Sequence, residues 1–190
     1  MTDQTLYSIV LAAGTASRFG ATKQLAEFAG RPLLSHAIDR ARQVTPGRYV
    51  VVLGANAAEI LGKLRPDDGF VALNPDFGDG MSTSLASGVG AIENHAGGAL
   101  ILLADQPLIS ENYLRDLIQA WQNSPEKIVA SSFAGVLSPP AIFPSSDFDE
   151  LMTLTGDRGA KVMFDEHAER LVTLECPDAA MDVDTPADLD

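Results

Sequence analysis

The sequence predicts an α/β protein built around a largely parallel sheet. Two patterns carry that prediction. Apolar runs of strand length alternate with amphipathic stretches of helix length along the chain. The first of these runs breaks into a glycine-containing loop, and the most strand-like one breaks into an acidic turn, at the strand ends where ligands collect in open α/β sheets.

Taken in order, residues 7–13 read as a buried strand that ends at Gly14. The loop that follows holds small residues (Ala16, Ser17), two glycines (Gly14, Gly20) and two cations (Arg18, Lys23). Glycine lets the backbone approach an anion closely, and the cations supply charge-assisted contacts, so the loop suits a polyphosphate. It is not a P-loop, because five residues separate Gly14 from Gly20 and Lys23 does not follow the second glycine directly. Nor does it fit the G-x-G-x-x-G dinucleotide pattern. Residues 33–43 read as a helix with Pro32 in its first turn. Residues 49–53 are a strand of almost pure β-branched character, followed by a helix to residue 64 and a short strand over residues 70–73.

The turn-rich stretch 74–80 leads into a helix whose apolar residues are Leu85, Val89 and Ile92. Its start offers Ser82, Thr83 and Ser84 either as caps or, with free backbone N–H groups, as contacts for a phosphate or a base. Residues 99–104, A-L-I-L-L-A, are the strongest strand signal, and Asp105 follows directly. An aspartate there is either a plain turn residue or well placed to hold a hydrated Mg²⁺. Ser110 is set to cap a helix running to Trp121, itself expected in the core. Residues 128–133 form the next strand, 148–154 a short helix and 158–164 another with Asp157 as its cap, and 170–174 a late strand. If residues 181–184 are extended, Asp182 and Asp184 share a face, while Asp188 belongs to the first turn of a terminal helix started by Pro186.

Composition narrows the partners. The chain has 190 residues, 46% of them hydrophobic, and a formal net charge of -13. It is expected to fold as one domain over residues 1–190, and its charge disfavours nucleic acid and anionic membrane surfaces. An anionic substrate must therefore be met by local cations or a bound metal ion. The sequence shows neither a membrane-length apolar run nor a signal-peptide pattern, so the expected location is cytoplasmic. Cys176 is the only cysteine, and His36, His95 and His167 lack metal-ligand spacing.

Several motifs, in order, resemble one family: Leu11-Ala12-Ala13-Gly14, Ser17-Arg18-Phe19-Gly20 and Lys23; then Asn74, Gly80-Met81, Ser84-Leu85 and Gly88; Asp105-Gln106-Pro107-Leu108; G-D-R-G-A-K from Gly156; and D-V-D-T-P from Asp182. They are similar to those of the molybdenum cofactor cytidylyltransferases and their guanylyltransferase relatives. The resemblance implies a three-layer sandwich with a mostly parallel sheet, a Rossmann-like nucleotidyltransferase architecture. It also implies transfer of CMP from CTP to a phosphorylated acceptor, molybdenum-loaded molybdopterin, with release of pyrophosphate. On that reading Arg18, Lys23 and Asp105 carry the chemistry. Leu11, Ala12, Ala13, Gly14, Arg18, Lys23, Asn74 and Ser84 bind the nucleotide, and Asp105, Asp182 and Asp184 bind Mg²⁺. A molybdoenzyme client is an implied partner. Relatives resembling the guanylyltransferase usually carry a glycine where this chain has Ala13, and the added methyl narrows the space for a purine. In the acceptor-side segment 134–144, Ser138 stands where the family pattern has a glycine. Guanylyl transfer and cytidylyl transfer to a sugar or polyol phosphate are alternatives within the class. A non-catalytic carrier of the finished cofactor is the alternative outside it, against which the retained cations and carboxylates argue.

Overall fold

The computed structural model describes residues 4–14, 19–64, 66–157 and 159–189. The chain runs through β1 (Leu6–Leu11), a two-residue hairpin of β2 (Glu27–Phe28) and β3 (Arg31–Pro32), α1 (Leu33–Val44), β4 (Tyr49–Leu53), α2 (Ala57–Lys63) and β5 (Phe70–Leu73). It continues with α3 (Met81–Gly90), β6 (Gly98–Leu103), α4 (Glu111–Asn123), β7 (Ile128–Phe133), β8 (Val136–Pro144), α5 (Phe148–Thr153), α6 (Lys161–Glu166) and β9 (Leu171–Glu175). The main sheet has the order β5-β4-β1-β6-β8-β7-β9. β8 alone runs against its neighbours β6 and β7, and the other pairings are parallel.

Side-chain alternation splits the sheet into two buried faces. Val10, Val51, Leu53, Leu100 and Leu102 pack with α1, α2 and α4 through Leu34, Ile38, Ile60, Leu114 and Trp121. Ile9, Val50, Val52 and Ile101 pack on the opposite face with α3, α5 and α6 through Leu85, Val89, Leu151, Met163 and Phe164. This is the predicted three-layer sandwich. Strands buried on both faces read as continuous apolar runs, which explains why they stand out in the sequence. Among the described residues no helix is long and apolar enough to cross a membrane.

Several boundaries differ from the sequence reading. β1 stops at Leu11, because Ala12 and Ala13 already belong to the turn. Pro32 lies in β3, just before α1, rather than in the first helical turn. α6 starts at Lys161 after Ala160 with no side-chain cap, so Asp157 does not cap it. The segment 134–144 contributes β8, which the sequence reading left unassigned. Ser110 does cap α4, accepting from the Tyr113 N–H at 3.2 Å, and Trp121 is fully buried.

The sheet order places β1 between β4 and β6, so the chain's successive strands depart in opposite directions from β1. Ligands bind at such a switch, outside the carboxyl ends of the strands. α3 must lie close to β1 to close that crevice. A methyl at Gly88 would stand 2.5 Å from Cγ2 of Ile9 and 3.0 Å from Cγ2 of Val52. Gly88→Ala is therefore expected to lower stability by about 1–3 kcal/mol through overpacking. The measurement is a urea midpoint, and an unchanged one would show that α3 does not seat so tightly.

Candidate active site

The turn leaving β1 is fixed by its carbonyl groups. The Gln24 side-chain amide donates to the carbonyls of Ala12 (2.8 Å) and Gly14 (3.0 Å), and the Ala55 N–H donates to that of Ala13 (3.3 Å). Three successive oxygens thus have protein donors, which keeps their partial negative charge occupied within the protein. Gln24 is buried on the 3₁₀ turn Lys23–Leu25, so the residue that straps the loop also sets the position of Lys23. The sequence reading missed Gln24, since a glutamine after a lysine carries no signal until the fold shows what it reaches. Arg18 lies outside the described residues.

The Lys23 ammonium sits 2.9 Å from Oδ2 of Asp105 and 3.1 Å from Oδ1 of Asp184. Asp105 leaves the end of β6, and Asp184 comes from the C-terminal tail. One backbone bond explains how they meet: the Val183 N–H donates to the Asp105 carbonyl at 2.9 Å. Val183 is buried with Phe19 and Leu33, so Asp182 and Asp184, on either side of it, both face outward. The segment is not a strand, yet the expected alternation holds. Asp188 fastens the next turn, accepting from the N–H groups of Asp184 (3.0 Å) and Thr185 (2.7 Å). These backbone bonds hold its carboxyl below the ordinary range.

Burial disfavours the Lys23 charge, but Asp105 and Asp184 outweigh that cost and hold its pKa above the ordinary lysine value. Asp182 is exposed on its outer side. Even so, desolvation by the surrounding protein, together with the negative charges of Asp105 and Asp184, raises its carboxyl above the ordinary range. The three aspartates singled out in the sequence therefore form one electrostatic group. Oδ1 of Asp105 is buried without a hydrogen-bond partner. Among the described residues no set of three or more His, Cys, Asp or Glu forms a ready-made metal cage.

Arg40 steadies the Asp105 turn from below. It donates to the Gln106 carbonyl at 3.2 Å and to the Pro107 carbonyl, and its own burial lowers its pKa. The Gln106 amide reaches the Ala179 carbonyl at 3.3 Å, a second tie between β6 and the tail. Arg40 was not singled out in the sequence, and Gln106 was noted only as part of the Asp105-Gln106-Pro107-Leu108 motif.

Asn74 is buried, and its side chain is used internally. Its amide donates to Oγ1 of Thr83 (2.9 Å) and Oγ of Ser84 (3.0 Å), and its oxygen accepts from the Asp76 N–H (3.0 Å). The serines at the start of α3 do not cap it, since Gly80 takes that position without a side-chain bond. Gly80 has φ of 112°, and a Cβ there would lie 2.7 Å from the Gly156 carbonyl and 2.8 Å from the Asp157 carboxylate. Only glycine fits where Gly156 and Asp157 pass the start of α3.

These elements enclose a cleft of about 540 Å³, the size of a nucleotide-scale ligand site. Of the residues singled out in the sequence, Leu11, Ala13, Gly14, Ser84 and Asp105 line it. The apolar Phe77, Met81 and Leu103, and the acidic Asp157, also line it.

Residues 8–171 match the MobA-like NTP transferase domain family. The chain is 29% identical to the "Probable molybdenum cofactor guanylyltransferase" of Rhodopirellula baltica over 97% of its own length and 90% of that protein. It is 36% identical to the "Purine catabolism protein PucB" of Bacillus subtilis over 60% of its own length, and it spans only 57% of that relative. By structure it is similar to Rv0371c of Mycobacterium tuberculosis H37Rv, with a TM-score of 0.84 and 26% identity, covering 99% of this chain and 96% of the other. A structure of Rv0371c in complex with manganese gives a TM-score of 0.77 at 24% identity, covering 100% of this chain and 94% of the other.

The strap on the β1 turn yields a direct expectation. Gln24→Leu keeps the bulk but removes both donors, leaving the Ala12 and Gly14 carbonyls unmatched at a cost of about 1–3 kcal/mol. The expected outcome is a lower denaturation midpoint together with a raised KM for nucleotide. A variant with both unchanged would show that the amide does not hold the turn.

Proposed function

The chain belongs to the MobA-like NTP transferase domain family, and from that premise we propose that it transfers CMP from CTP to the terminal phosphate of a molybdopterin-type acceptor. The observation that carries the proposal is that Lys23 joins Asp184 to Asp105, and Asp105 lines a nucleotide-sized cleft together with Ala13 and Gly14.

In this reaction an acceptor phosphate oxygen attacks the α-phosphorus of the triphosphate. A new P–O bond forms, the bond from the α-phosphorus to the β-phosphate oxygen breaks, and its electron pair leaves with pyrophosphate. Such chemistry needs positioning and charge neutralisation rather than a covalent nucleophile. The turn after β1, its carbonyls held back by Gln24 and Ala55, would let Ala13 and Gly14 approach the triphosphate through backbone N–H groups. Lys23, with Arg18, would offset charge on the β- and γ-phosphates. Asn74 would act by fixing Ser84 at the cleft wall, and Leu11 and Ala12 by shaping the turn.

The acidic residues fit a divalent cation such as Mg²⁺. Three interacting carboxylates outnumber the two ammoniums that act on them, Lys23 and the more distant Lys161, and the Asp105 Oδ1 is an unpartnered hard oxygen. Mg²⁺ commonly uses one or two carboxylates and completes its shell with phosphates and water, so no protein cage is required. Asp105 and Asp184 would hold it, with Asp182 beside them, and the bound ion would polarise the α-phosphate and the leaving group.

The assay is direct: the protein, each radiolabelled triphosphate, Mg²⁺ and molybdenum-loaded molybdopterin, read as pyrophosphate and dinucleotide. Lys23→Ala is expected to lower kcat/KM by roughly 10- to 100-fold, the loss of one charge-assisted phosphate contact, and Asp105→Asn to remove most turnover. Normal kinetics in both folded variants would contradict the assigned roles.

The preference for CTP rests on the Ala13 methyl, on a residue at the cleft wall. Ala13→Gly should relax the preference towards GTP without fully reversing it. The guanylyltransferase relative makes GTP the sharpest competitor. Equal use of CTP and GTP by the native protein would overturn this steric account.

A further inference from the structure

The roles proposed for Lys23, Asp105 and Asp184 cannot all be filled in the arrangement the structure shows. The ammonium meant for the triphosphate is bound to the two carboxylates meant for the metal, at 2.9 and 3.1 Å. Its side chain is only 14% exposed, so it is seated among protein groups rather than tethered from solvent. Among the described residues, Lys23 is the cation that reaches either carboxylate.

The geometry points to Lys23 as a built-in counter-ion that competes with the divalent cation for Asp105 and Asp184, so that metal and triphosphate enter together. This inference rests on the metal and phosphate assignments made above. Three features require it. Asp105 and Asp184 are held near each other by the Val183–Asp105 backbone bond, so their mutual repulsion has to be balanced by a nearby cation. A lysine has a flexible stem and a compact charge that can leave one anion for another. The cleft lies beside the same Asp105, so an arriving polyphosphate supplies that second anion within reach of the chain.

The consequence is a binding order. A metal ion arriving alone must displace the ammonium into a cleft with no anion to receive it. A metal ion arriving with a triphosphate gains the two carboxylates, while Lys23 gains the phosphates. If the carboxylates are free of Lys23 about one-tenth of the time, the ligand-free protein binds metal about tenfold more weakly than the bare site would.

The test is binding of Mn²⁺, followed as loss of the free-ion paramagnetic resonance signal, with and without a non-hydrolysable triphosphate. The native protein should bind Mn²⁺ weakly alone and more tightly with the analogue. Lys23→Met should bind Mn²⁺ alone about tenfold more tightly than the native protein, and should gain less from the analogue. In a second readout that requires no nucleotide, Lys23→Met should melt lower than the native protein without metal and show the larger rise in Tm on adding Mn²⁺. Unchanged or weaker Mn²⁺ binding by folded Lys23→Met would overturn the inference. Asp105→Asn separates this from the underlying reading: if it weakens Mn²⁺ binding while Lys23→Met does not strengthen it, only the counter-ion role falls. If Asp105→Asn leaves Mn²⁺ binding unchanged in both the native and the Lys23→Met backgrounds, the metal site itself is wrong and the inference falls with it.

Discussion

The structure depends on one constraint, that two carboxylates from distant parts of the chain are held together at the edge of the cleft. Unit charges about 4 Å apart interact by about 4 kcal/mol in partly solvated surroundings, enough to drive a loose tail away. The chain answers with backbone and with charge. The Val183 N–H on the Asp105 carbonyl and the burial of Val183 fix the tail, and the Lys23 ammonium offsets the repulsion. Gln24 and Arg40 extend the same logic outward, each using a partly or fully buried polar group to hold the carbonyls of a turn that carries a charged residue.

The sheet provides the frame for this arrangement. β1 and β6 are parallel neighbours, so the β1 turn with Gly14 and the β6 turn with Asp105 open at the same end. The tail then crosses that end instead of adding a strand beside them. The acidic balance of the chain as a whole leaves a polyphosphate little reason to approach, so on the proposed reading the local cations and the oriented backbone of this crevice would decide where it binds.

Much of this was legible in the sequence because it follows from local chemistry. The strands Tyr49–Leu53, Phe70–Leu73 and Ile128–Phe133 match the structure, because each is a short apolar run closed by turn residues or by the end of a polar stretch. Asp105 was legible as an acid at a strand end, and Asp182 and Asp184 as a pair on one face. β8 was not, because its prolines and the glycine before it read as loop. Only its antiparallel place between β6 and β7 makes them part of a strand. Gln24 and Arg40 were also invisible, as was the tie from Gln106 to the tail, because their partners lie far away in sequence or are backbone atoms. Asp157 was read as a helix cap, which it is not, and its place on the cleft wall arises from the crossing at Gly80.

The central claim, that the β6 end and the C-terminal tail form one nucleotide-dependent metal site facing the β1 turn, is tested most directly by anomalous diffraction from crystals grown with Mn²⁺ and a non-hydrolysable triphosphate. The account predicts one Mn²⁺ peak ligated by carboxylates of Asp105 and the tail and by phosphate oxygens, with Lys23 moved onto the phosphates. A manganese ion bound without Asp105, or a triphosphate seated away from Gly14 and Lys23, would contradict it.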